Sequence, residues 1–103
     1  GNPDTPLKPD PVSFLKLEAH NVVVENWKAA EDGQGTIVRL LEVGGREVST
    51  RVAFPLLKVQ KAWRTNAVEE NQSELMVAAD GVEVMIKPHE ILTMRVMGKS
   101  LVY

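Results

Sequence analysis

Cysteine is absent from the 103-residue chain. That excludes disulfides, thiolate metal sites and cysteine nucleophiles, and it favours a reducing, cytoplasmic setting. Aromatic residues are also scarce, with two Trp, two Phe and one Tyr. No basic patch interleaves with them, and a formal net charge of -2 gives no pull toward nucleic acid. Apolar runs such as residues 22–24 are far too short to span a bilayer, so no membrane partner is expected. No charged start followed by an apolar stretch marks a secretory signal. Long helical periodicity is missing too: only residues 67–74 are compatible with a helix, and their charged and amide content reads better as a loop or edge segment.

What is present is a folded core. The hydrophobic fraction of 44% suits one domain and argues against disorder. Four of the six prolines (Pro3, Pro6, Pro9, Pro11) crowd the opening, where missing N–H groups and fixed φ favour an extended connector. The chain opens on Gly1 rather than Met, as a processed product or excised fragment would. The expected organisation is a proline-rich linker or tail over residues 1–12, a β-domain over 13–97 and a C-terminal tail over 98–103.

Beyond Val12 the dominant period is two. Val48, Thr50, Val52 and Phe54 alternate with Glu47, Ser49, Arg51 and Ala53, and Val82, Val84 and Ile86 with Glu83 and Lys87. Leu75, Val77 and Ala79 form a short stripe, and Leu92, Met94 and Val96 a last one. Leu57, Val59 and Trp63 suggest one face of a further strand. Residues 37–43 are apolar on both faces, as in a central strand covered on both sides. Gly44–Gly45 and Asp80–Gly81 read as two-residue hairpin turns, because glycine tolerates the positive φ of primed turns. Short strands spaced by roughly ten residues predict an all-β fold, a small antiparallel β-sandwich of about seven or eight strands, immunoglobulin-like in general architecture.

A search for chemistry returns little. His20 and His89 are the only histidines and lie in no metal-ligand spacing, so no metal site is expected. No GxSxG elbow accompanies the serines. The glycines of "EDGQG" form neither GxGxxG nor a Walker motif. Paired carboxylates are what a glycosidase would need, and two pairs exist, Glu31 with Asp32 and Glu69 with Glu70. Nothing nearby supplies the desolvation that would split their pKa values, so both pairs read as solvated loop carboxylates. Trp27 and Trp63 are the candidates for sugar stacking, although a tryptophan in a strand is by default a core residue. Met85, Met94 and Met97 follow the strand stripes and read as packing.

Three segments carry a resemblance. "NVVVENWKAAEDGQGTIVRLLEVGGR" (residues 21–46) has an NVVV strand, a K-x-A-E-D-G-x-G turn and an I-V-R-L strand. "KVQKAWRTNAVEE" (58–70) has an alanine–tryptophan pair ahead of an acidic stretch, and "VEVMIKPHEILTMRV" (82–96) supplies Pro88, Glu90, Ile91, Thr93 and Arg95 in the order P-x-E-I-x-T-x-R. Together they resemble the C-terminal β-sandwich domain of glycoside hydrolase family 38 α-mannosidases. The resemblance implies a parent that is a retaining mannosidase, with its zinc and aspartate nucleophile in a separate catalytic domain. It implies no cofactor and no catalytic residue in this chain. The implied role is a non-catalytic accessory domain whose partner is the remainder of the parent, with mannose-containing glycans as a further partner. Glu31, Asp32 and Gln34 are its candidates for a substrate-proximal loop. The alternatives are a stand-alone carbohydrate-binding module and an immunoglobulin-like interaction domain, the latter weakened by the missing Cys…Trp…Cys pattern.

Overall fold

The computed structural model of the chain describes residues 10–79 and 81–102. Nine strands occur among them: β1 (Lys16–Leu17), β2 (Val22–Ala29), β3 (Thr36–Glu42), β4 (Val48–Ala53), β5 (Leu57–Thr65), β6 (Asn71–Leu75), β7 (Val77–Ala78), β8 (Gly81–Ile86) and β9 (Ile91–Ser100). They form two antiparallel sheets, ordered β1-β4-β8-β7 and β2-β3-β9-β5-β6, stacked as a β-sandwich.

The alternating stripes become the two inner faces. Val52, Val82 and Ile86 from the smaller sheet meet Leu40, Leu92 and Met94 from the larger one, with Phe54 fully buried between them. Burying each such side chain contributes roughly 1.5–3 kcal/mol, and this apolar layer is the main stabilising term. Met94 packs as its stripe predicts, whereas Met85 sits on the outward phase of β8 and is exposed.

The packed part starts a little earlier than the prolines suggest. Asp10 caps a 3-10 turn over Pro11–Phe14, accepting from the Val12 N–H at 2.9 Å, and this seats Val12 in the core. Residues 1–9 lie outside the described residues. At the other end, residues 98–100 continue β9 as partners of Leu57, Lys58 and Val59 instead of leaving as a tail.

Two local expectations change. Gly44–Gly45 does not close a hairpin, since β3 belongs to the larger sheet and β4 to the smaller. The turn carries the chain from one layer to the other. Trp63 does not share a face with Val59. A bulge between Val59 and Lys61 inserts one residue and reverses the phase, so Ala62 continues the buried face and Trp63 turns outward. Likewise, the stripe through Leu75 and Val77 is split: β6 pairs with β5, while β7 pairs with β8 in the other sheet. Asp80, half of the second expected turn, lies outside the described residues, but β7 and β8 do pair antiparallel on either side of it.

β3 is central, between β2 and β9. Its inner face is core. On its outer face only Ile37 is fully buried, seated by the register between Lys28 and Arg95. Charged side chains, not another layer, flank it there.

Candidate functional site

The hairpin from β2 to β3 brings the "EDGQG" residues to the outer face of the larger sheet. Ala30 N–H donates to the Gly35 carbonyl at 3.1 Å, and Gly33 N–H to the Ala30 carbonyl at 3.0 Å. Gly35 has φ +79°, and a Cβ placed there would lie 2.4 Å from the Val96 carbonyl oxygen, so this position accepts only glycine without rearrangement.

Around that turn the three segments of the resemblance converge on one side chain. Arg95 is only 3% exposed. Its Nη1 donates to Asp32 Oδ1 at 2.8 Å and to the Gln34 carbonyl at 2.6 Å. Its Nη2 donates to the Glu69 carbonyl at 2.7 Å, and its Nε to Asn71 Oδ1 at 2.9 Å. Glu69 in turn accepts from the Glu31 N–H at 2.8 Å and pairs with Lys28 Nζ at 2.7 Å, while Lys28 also reaches Glu31 at 3.0 Å. Two loops and β9 are thereby fastened together through one guanidinium. A fixed fork of donors suits this task better than a lysine would.

The charge state follows. The hydrogen bond from Arg95, helped by the Gln34 N–H, holds the Asp32 carboxyl below its ordinary value. Lys28, then the Glu31 N–H, does the same for Glu69, and Glu69 and Glu31 raise Lys28. Glu69 is thus not the solvated loop carboxylate that its sequence context suggests. Its side chain is almost wholly covered, whereas Glu31 is 82% exposed.

A second charged group had no sequence signal. Glu42 is fully buried. Its Oε1 accepts from the N–H groups of Gly45 (2.7 Å), His89 (3.0 Å) and Arg46 (3.2 Å). Its Oε2 accepts from Gly44 N–H (2.6 Å) and Asn21 Nδ2 (2.7 Å). Burial opposes ionisation here, but the donors from His89, Asn21 and the two glycines outweigh it and hold the carboxyl at about 2. This is why Gly44–Gly45 bends as it does: the turn wraps its N–H groups around an anion, with Gly45 at φ +76°.

The two tryptophans do not form one platform. Trp27 lies opposite Val38 and Trp63 opposite Arg95, on opposite faces of the same sheet. Trp27 remains 42% exposed at the sheet edge and Trp63 is half-buried, and neither belongs to the buried core expected by default.

One cavity, of about 460 Å³, opens at the outer end of the larger sheet. Arg39 and Thr93, cross-strand partners, line it together with Thr65, Asn66, Glu25 and Glu90. Glu90, Ile91 and Thr93 of the third resembling segment also line it, whereas Glu31, Asp32, Gln34, Trp27 and Trp63 do not. No cluster of three His, Asp or Glu side chains suited to a metal occurs among the described residues.

The fold and these two networks define an antiparallel β-sandwich domain whose buried charges fasten its turns and loops. The family described as glycosyl hydrolases family 38 C-terminal beta sandwich domain matches residues 21–94, more than half of the chain, and the chain belongs to that family. The comparison with curated proteins returns no match.

Proposed function

We propose that the chain is the non-catalytic accessory domain of a larger α-mannosidase, bracing the enzyme and presenting the residue 30–35 turn beside its substrate cleft. The zinc ion and the aspartate nucleophile of such a parent belong to its separate catalytic domain. Family membership supports the parentage. The observation that carries the non-catalytic role is the commitment of Asp32, Glu42 and Glu69 to donors that fasten the fold. A glycosidase general acid requires a raised pKa. Asp32, Glu42 and Glu69 are all lowered, each by donors that also fasten the fold. Carboxylates so held are poor proton donors near neutrality. Glu31, Asp32 and Gln34 are all exposed in the turn; Asp32 is tied to Arg95 and Glu31 to Lys28, so the Gln34 side chain is the one best placed to meet a glycan.

The test is made in the full-length enzyme. Asp32→Ala should lower Tm while leaving the kcat of the folded fraction within a few-fold. A loss of kcat by about 10³-fold or more with Tm unchanged, the size expected for a catalytic group, would overturn the reading.

A further inference from the structure

The geometry points to the cavity beside Arg39 as a binding site in its own right, with a neutral, polyhydroxylated ring of monosaccharide size as its ligand. Its volume, about 460 Å³, lies in the range of roughly 300–1,000 Å³ typical of small-molecule sites. The charges that line it divide into two kinds. Arg64 and Glu90 are committed to each other at 3.1 Å, Arg64 also donates to the Met85 carbonyl, and Glu90 accepts from the Lys87 N–H at 2.8 Å. The Arg39 and Glu25 side chains are uncommitted: neither forms a side-chain hydrogen bond or ion pair with another described residue, although both line the same cavity. A free donor fork and a free acceptor that do not reach each other leave room for a molecule offering both hydroxyl oxygens and hydroxyl protons.

Thr65 gives an independent indication. It is 6% exposed, it lines the cavity, and its Oγ1 is the one buried side-chain polar atom without a partner among the described residues. A buried unpartnered hydroxyl is costly, and such a group calls for an explanation. Thr93 and Gln72 add further polar groups, and Ile91 provides an apolar patch suited to the C–H face of a ring.

The lining carries two arginines and two glutamates, so the site has no net charge with which to hold phosphate. A zwitterion would satisfy Arg39 and Glu25 but would leave the hydroxyl and amide groups idle. The rim is also rigid. Asn66 Oδ1 accepts from the N–H groups of Val68 (3.1 Å) and Glu70 (2.9 Å), and the same 66–71 loop is fastened through Glu69 and Asn71 to Arg95. The network around Arg95 therefore pre-organises the site. This inference rests on the cavity alone and stands whether or not the parent is a mannosidase.

It is tested on the 103-residue chain by following backbone amide NMR shifts during titration with D-mannose and D-glucose, with glycine and inorganic phosphate as controls. Saturable shifts at Arg39, Thr65, Asn66 and Thr93, with a Kd on the order of 1 mM for at least one sugar, are expected. Arg39→Gln should weaken binding by about tenfold, the loss of a charge-assisted hydrogen bond. Thr65→Val should weaken it several-fold while Tm holds or rises, because the variant removes an unpartnered buried hydroxyl. No saturable shift with either sugar overturns the site. So does binding of glycine or phosphate in preference to sugar, or sugar-dependent shifts centred on Trp27 or Trp63.

Discussion

At one end of β3 a buried carboxylate, Glu42, is held by N–H groups alone; beside the other end a buried guanidinium, Arg95, is held by oxygens alone. Glu42 pairs with no cation among the described residues. Three of its donors come from the next four residues, so the backbone itself curls around the charge. Arg95 finds nothing local. Its acceptors lie at Asp32, Gln34, Glu69 and Asn71, in two separate loops. An anion can be housed by one flexible glycine turn, whereas a planar cation must be met by preformed loops brought from elsewhere. The first arrangement redirects the chain between sheets, and the second clamps loops onto a strand. Both hold charge in low-dielectric surroundings, where full pairing is required and removal of one partner costs more than the pair contributes.

The sharpest way to break the comparison is Arg95→Met, which keeps the length and removes the fork. Three neutral acceptors and Asp32 lose their donor together, and unfolding in urea should show a loss of about 3–4 kcal/mol. Amide exchange should accelerate in both loops that Arg95 joins, and remain slow around Glu42. Faster exchange at Glu42 as well would show that the two networks are one cooperative unit.

Glu42→Gln attacks the other network, keeping the volume and one acceptor while turning an NH2 group against N–H donors. Its diagnostic is pH. The folded-state pKa of Glu42 is about 2, below the unfolded value near 4.3. The unfolded chain therefore takes up the proton first as pH falls. The stabilisation is complete above the unfolded pKa and is lost progressively from about pH 5 toward pH 2. Asp32 and Glu69 shift in the same direction and add to this acid limb. In Glu42→Gln the slope of stability against pH over that window should become shallower. An unchanged slope would mean that the ionised carboxylate is not what the turn holds.

The same contrast explains what could be read in the sequence. Period-two stripes gave the sandwich and most of its inner faces, because burial imposes that period on each strand. The "EDGQG" turn was legible as a connection since its neighbours in sequence are its neighbours in the sheet. Gly44–Gly45 was misleading: glycines report that positive φ is needed, and a hairpin and an anion nest need it alike. The outward Trp63 was hidden by a bulge that leaves no mark on the residue pattern. Arg95 with Asp32, and Arg39 beside Thr65, depend on residues far apart in sequence that only strand pairing brings together. The buried Glu42 offered no signal beyond a charge at the end of an apolar strand.

Glycine substitution gives the smallest effects and the finest discrimination between the two turns. Gly35 and Gly45 both have positive φ, at +79° and +76°, so alanine strains the backbone equally at each. They differ in what the new methyl meets. At Gly35 it meets the Val96 carbonyl at 2.4 Å, which cannot move without distorting the pairing of β9. At Gly45 the nearest atom is Nε2 of the exposed His89 ring at 3.2 Å, which can swing aside. Gly35→Ala should therefore cost about 2–3 kcal/mol and Gly45→Ala about 1 kcal/mol, measured by urea unfolding. Equal losses would place the whole penalty in the backbone dihedral and remove the close approach to β9 as the reason for glycine at position 35. A larger loss at Gly45 would show that the anion nest tolerates less movement than the guanidinium clamp, reversing the order of rigidity argued from their partners.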